Sequence, residues 1–299
     1  MSNVCTLSDG RDLGYSRHGS ESGPQVFYLH GLPGSRLEGK CFFEKHLSSF
    51  NAGLISVERP GIGLSSPHPN RSLSDHAQDV LDLAKHLGLK KWWVVGISGG
   101  GPYALACARH HPPECLRGVA ICAGIGPYAY GYHGMGFGTK AMLLMFRFAP
   151  WLCHVVYRPV MALQNSMSTE RLVVMMQTNF AKPNKLMQVQ DKDVEMFKDR
   201  ELIMNIIAST KEHYRQGFGC FIQDGQCIAN DWDFRIQDIT FRPIQLWHGS
   251  QDVNCPLHMS EKTAEILGEG VELNTVDETH MSSSINCAEE LLAHLLKNA

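Results

Sequence analysis

Short apolar runs alternate with amphipathic stretches along the first third of the chain, and this alternation constrains the fold more than any single motif. Val26-Phe27-Tyr28-Leu29, Leu54-Ile55-Ser56-Val57, Trp92-Trp93-Val94-Val95 and Val119-Ala120-Ile121-Cys122 are short and nearly continuous in apolar character. Runs of that length without alternation suit strands buried on both faces. Between them, residues 37–50 and Ser72 to Leu87 read as helices. The second places Leu73, Ala77, Val80, Leu81, Ala84 and Leu87 on one stripe. Strand and helix in turn predict a mainly parallel sheet with helices on both sides. Residues 3–8 and 11–17 add a hairpin turning at Asp9-Gly10.

The pattern changes after residue 126. Strand signals fade, and ten of the 13 methionines fall between Met135 and Met204. Residues 138–149, 168–180 and 199–215 read as helices. Strand signals return with Ile244-Gln245-Leu246-Trp247 and Val271-Glu272-Leu273-Asn274-Thr275-Val276, with a helix near 258–267 between them and a closing helix near 285–297. The chain is therefore expected to hold one α/β core, residues 1–126 and 227–299, interrupted by a helical insertion at 127–226.

Chemistry centres on Gly96-Ile97-Ser98-Gly99-Gly100, between the Trp92 run and the helical stretch from Pro102 to Ala108. Glycines on both flanks allow a tight turn that lifts a hydroxyl above the sheet edge, and the following helix aims its N-terminus at developing negative charge. Serine needs a base, and the base needs an acid to orient it. Catalytic groups of open α/β sheets gather at the carboxyl ends of strands. His280, four residues beyond Val276, and Asp252, just beyond Trp247, both fall there. Asp277 competes as the acid but is very near His280 in sequence. His248 is assigned a structural role. Of the oxyanion donors, one is expected from the N–H of Gly99 and the second from His30-Gly31-Leu32-Pro33-Gly34. Pro33 has no N–H, which leaves Leu32.

Together His30–Gly34, Glu58-Arg59-Pro60-Gly61-Ile62-Gly63-Leu64-Ser65, the Ser98 turn, the Asp252 loop and His280 resemble the α/β-hydrolase superfamily, in its cap-bearing branch of esterases, C–C bond hydrolases, epoxide hydrolases and prolyl aminopeptidases. The resemblance covers roughly residues 3–126 and 230–299. It implies a mostly parallel eight-stranded sheet with helices on both faces, an inserted helical cap, and a Ser98–His280–Asp252 triad in the chain order of that fold. Serine at 98 argues against the epoxide hydrolases, which use aspartate. Gly99-Gly100-Gly101 lacks the tryptophan found beside the nucleophile of prolyl aminopeptidases. Glu58 stands where the family commonly has aspartate, as an expected anchor for its loop.

The insertion is expected to form a lid with a soft apolar wall. Tyr128, Met135, Met142, Met145, Phe146, Trp151 and Met175 are its candidate substrate contacts. The leading expectation is a serine hydrolase acting on an ester or thioester of a small apolar molecule through an acyl-enzyme. A C–C hydrolase or lyase using the same groups, and a ligand-binding receptor on a hydrolase scaffold, are the alternatives. A formal charge of -3 with scattered basic residues offers nucleic acid no broad attraction. No apolar run reaches membrane-spanning length. Ten dispersed cysteines without metal-ligand spacing suggest reduced thiols, no metal and no cofactor, and the N-terminal residues lack secretory character. A cytoplasmic location is expected.

Overall fold

The computed structural model describes residues 2–184, 189–297 and 299; Met1 and Met187, two of the methionines counted above, lie outside them. Eight strands form one sheet: β1 (Ser2–Thr6), β2 (Asp12–Gly19), β3 (Gln25–Leu29), β4 (Gly53–Val57), β5 (Trp92–Ile97), β6 (Leu116–Cys122), β7 (Ile244–Gly249) and β8 (Val271–Val276). Their order is β1-β2-β4-β3-β5-β6-β7-β8. The β1–β2 and β2–β4 pairs are antiparallel, and every later pair is parallel.

The continuous apolar runs arise because adjacent residues face two different cores. Phe27, Leu29, Trp92 and Val94 pack with helices α2 (Leu73–His86) and α3 (Gly101–His110) on one face. Their neighbours Val26, Tyr28, Trp93 and Val95 pack on the other face with α1 (Glu38–Leu47) and with Ala288, Leu291 and Leu295 near the C-terminus. With period-two side chains and both faces dry, neither set can be polar. Helix α2 starts where a capping box forms, Ser72 Oγ accepting from Asp75 N–H at 3.2 Å and Asp75 accepting from Ser72 N–H at 2.8 Å. It buries Leu73, Ala77, Val80 and Ala84 as the stripe predicts, but Leu83 takes the place of Leu81.

Between β6 and β7 lie the helices α4 (Phe137–Phe148), α5 (Pro150–Ser166), α6 (Thr169–Asn179), α7 (Asp191–Met196), α8 (Arg200–His213) and α9 (Gly219–Ala229). Sequence periodicity marked α4, α6 and α8 but not the others. Helix α5 carries Pro159 in its interior and leaves Trp151, Val155 and Leu163 exposed, so no apolar stripe distinguishes it. The expected return to the core at residue 227 falls inside α9, whose helix ends at Ala229. After β7 come α10 (His258–Leu267), α11 (His280–Asn286) and α12 (Ala288–Leu295). The expected single closing helix at 285–297 is thus two helices, the first beginning at His280. None of the described helices is long and apolar enough to cross a membrane.

Helices α4 and α9 close on each other through Phe146, fully buried against Phe221 at a ring-centroid distance of 5.0 Å. A methyl added to Gly225 would come within 2.4 Å of the Phe146 ring, which has no free space to move into. Gly225→Ala is expected to cost about 1–3 kcal/mol, read as a lower urea midpoint. Adding Phe146→Leu should recover part of the loss, and an unchanged midpoint in the single variant would contradict the packing described.

Candidate active site

Ser98 adopts φ of +53°, a left-handed backbone that non-glycine residues seldom occupy. Its neighbours explain how the turn fits. A Cβ on Gly96 would lie 2.5 Å from Gly100 O, and one on Gly100 only 2.1 Å from Leu29 O. Only glycine at both positions lets β5 turn sharply into α3 beneath β3. The serine side chain then stands at the carboxyl edge of the sheet.

His280 meets it there. Its Nε2 lies 3.0 Å from Ser98 Oγ and its Nδ1 lies 2.7 Å from Asp252 Oδ2. The carboxylate can only accept, so Nδ1 carries the proton and Nε2 presents its lone pair to the serine hydroxyl. His280 is the first residue of α11 rather than a loop residue. Thr279 caps that helix, its Oγ1 accepting from Ser282 N–H at 3.1 Å. Asp252 is held on its other oxygen, Oδ1 accepting from Asn254 and Cys255 N–H at 2.8 Å each. His248 braces the same loop: its Nε2–H donates to Cys255 O at 2.6 Å and its Nδ1 accepts from Ser260 Oγ at 2.7 Å. Asp277, the competing acid, faces solvent and binds Lys192 and Gln251 instead.

Electrostatics follow from this packing. Burial disfavours the His280 cation, but the Asp252 carboxylate outweighs it and raises the imidazole pKa above 6.5. Burial likewise opposes charge on Asp252, yet His280 and His248 hold it well below the usual carboxylate range.

The loop 30–34 runs beside the serine turn. A methyl on Gly99 would lie 3.4 Å from Leu32 N, and one on Gly31 would lie 3.5 Å from Ser98 Cβ. Gly31 N–H is already donated to Glu38 Oε1 at 2.7 Å, which also accepts from Tyr28 O–H at 2.7 Å. Burial pushes the Glu38 pKa up despite those donors. Ser98, Gly99, Leu32, Glu38 and His280 line one cavity of about 300 Å³ with Met142, Ile206 and Cys255.

The seven residues expected to contact substrate are spread over several environments. Among the seven residues expected to contact substrate, only Met142 lines this cavity. Phe146 is consumed in the α4–α9 contact, and Met135 packs in the core. Trp151 is 67% exposed on the outer side of α5. Tyr128 lies under the Arg147 guanidinium at 4.3 Å, edge-on to Tyr132. Met145 packs against the main core, and Met175 lines a separate cavity.

One arrangement had no sequence signal. Arg59 donates to His30 O at 2.6 Å and Gly31 O at 2.8 Å, fixing the first residues of the 30–34 loop. Its Nε–H donates to Asp224 Oδ1 of α9 at 2.7 Å. Arg71 and the Tyr103 hydroxyl reach the same Oδ1 at 2.7 Å each. All four side chains are buried. Arg59 lies in a motif visible in the sequence, but Asp224 is 165 residues away in a helix that periodicity does not mark. Glu58, next to Arg59, accepts from Leu64 N–H at 2.7 Å and pairs with Arg36, so it does anchor its loop.

Burial disfavours the Asp224 charge, and Arg59 and Arg71 overcome it, holding the carboxyl well below its ordinary range. A depressed folded pKa stabilises fully above the unfolded value of about 4 and loses that contribution as pH falls further. Asp224→Asn leaves two buried guanidinium groups uncompensated and is expected to cost about 3–5 kcal/mol at pH 7. The gap from wild type in urea unfolding should narrow below about pH 4. Equal stability at pH 7 would refute the pairing.

A family model described as alpha/beta hydrolase fold matches residues 24–284. A probable proline iminopeptidase of Leptolyngbya boryana is 30% identical over 128 residues, 40% of this chain and 39% of that protein. The chain thus spans about two fifths of the length of the curated relatives it matches. Of the solved structures, an alpha/beta hydrolase fold protein from Nakamurella multipartita superposes with a TM-score of 0.71 at 20% identity, covering 99% of both chains. The enol-lactonase from Burkholderia xenovorans LB400 gives 0.67 at 15% identity, covering 99% of this chain and 100% of that one. At such identities the structures speak to the fold.

Proposed function

The chain belongs to the alpha/beta hydrolase fold family, and on that premise we propose that it is a serine hydrolase cleaving an ester or thioester of a small, largely apolar molecule. The observation that carries this reading is the unbroken hydrogen-bonded line from Ser98 Oγ through His280 to Asp252, opening onto an apolar cavity. In the proposed reaction Ser98 Oγ attacks the carbonyl carbon while His280 Nε2 takes its proton. Asp252 stabilises the imidazolium, and the N–H groups of Leu32 and Gly99 hold the oxyanion. His280 returns the proton to the leaving oxygen or sulfur, and water then releases the acyl group by the same steps. We assign the helical segment after residue 126 to a lid over this cavity.

Ser98→Ala is expected to lower ester hydrolysis by roughly 10⁴-fold or more without altering stability. Because the base must be neutral, kcat/KM should fall at acid pH with an inflection above 6.5. In Asp252→Asn that inflection should move to lower pH while kcat drops by roughly 10⁴-fold. A flat pH profile through this range would contradict the role of His280.

The names of the curated relatives favour a second reading, removal of N-terminal proline from peptides. That substrate carries an ammonium group and calls for an anionic partner. Among the described residues lining the cavity, Glu38 is the one carboxylate, and it is already bound to Gly31 N–H and Tyr28 O–H with its pKa raised by burial. The cavity thus suits a neutral substrate better. We expect kcat/KM for p-nitrophenyl butanoate to exceed that for proline p-nitroanilide by at least a hundredfold. The opposite ranking would assign the peptidase activity.

A further inference from the structure

A second cavity, of about 310 Å³, adjoins the first. Pro33, Ile206 and Thr210 line both, so one thin partition separates them. The chamber sits at a seam. Tyr214 and Met161 on one side belong to the main core assembly. Leu172, Ile207, Met175 and Met176 on the other belong to a satellite cluster built by α6 and α8. Its one cation among the described lining residues, Lys211, donates its Nζ proton to Met167 O at 2.8 Å. The flexible thioethers of Met161, Met175 and Met176, beside the amides of Gln164, Asn165 and Asn179, describe a mainly apolar space that admits variable volume.

We propose that this chamber receives the distal part of the substrate's acyl chain, so that the preferred substrates are medium- to long-chain acyl esters rather than short ones. The proposal rests on the reading of Ser98 as the nucleophile of an ester hydrolase. Pro33 directly follows Leu32, the assigned oxyanion donor, so the partition stands on the side where the acyl carbonyl is held. An acyl chain extending past Ile206 leaves water for a methionine-lined wall, and each methylene so buried strengthens transition-state binding about fourfold. Short acyl groups end within the first cavity and gain nothing from the second.

The test is a series of p-nitrophenyl esters from acetate to decanoate, with the 299-residue chain, its Met175→Trp and Met175→Ala variants and the Ser98→Ala control. In the wild type kcat/KM should rise from butanoate to decanoate. Met175→Trp fills the chamber and should lower the decanoate-to-butanoate ratio at least tenfold. Met175→Ala enlarges it and should move the optimum to a longer chain, a readout that stands if the tryptophan variant fails to fold. A wild-type preference that declines from butanoate onward would overturn the proposal, as would ratios within twofold in every folded variant. Those results with Ser98→Ala inactive sink the chamber alone, whereas hydrolysis surviving in Ser98→Ala removes the nucleophile on which it rests.

Discussion

The site depends on one buried carboxylate. Asp224 pairs with both Arg59 and Arg71 and accepts from the Tyr103 hydroxyl, and Arg59 in turn holds the carbonyls of His30 and Gly31. Four segments remote in sequence meet there: the loop after β3, the loop after β4, the helix α3 that follows Ser98 and the last helix before β7. A charge cluster at this depth is costly unless every partner is in place, so it admits one arrangement of those segments. That arrangement brings Leu32 N beside Gly99, the pair assigned to the oxyanion in the proposed mechanism.

Around this tie the chemistry is assembled from conventional pieces. The left-handed Ser98 turn fits because flanking glycines let backbone pass within contact of Leu29 and Gly100. Asp252 receives two backbone N–H groups, which direct its second oxygen at His280. Glu38 occupies Gly31 N–H, leaving the next residue's amide as the oxyanion donor assigned in the proposed mechanism. Each element restrains its neighbour, so the geometry is set before substrate arrives.

Much of this was legible in the sequence, for physical reasons. Strands buried on both faces must be apolar throughout, so β3, β5 and β6 announce themselves. A serine turn needs its glycines, and groups at successive strand ends fall at one sheet edge, which is how Ser98, Asp252 and His280 were marked together. The helical segment after residue 126 was not legible in the same way. Composition reveals that Met135, Phe146 and Met175 are apolar, but not whether they face core, neighbour helix or cavity. Phe146 meets Gly225, Met135 joins the core, and Met142 alone of the expected contacts lines the cavity beside Ser98. The Arg59–Asp224 pair was hidden because an ion pair between distant segments leaves no local pattern.

The seam between main core and satellite cluster follows from the same division. Helices α6 and α8 pack on each other, α8 also packs on α1, and the cavity between their cluster and the core is closed by side chains of α5, α6 and α8. The central claim concerns the serine in the neighbouring cavity, Ser98. Reacting the 299-residue chain with a fluorophosphonate and mapping the modified peptide tests it most directly. One adduct on Ser98, formed more slowly as pH falls through the His280 titration, is the predicted result. No adduct, or one confined to another residue such as Cys255, would contradict it.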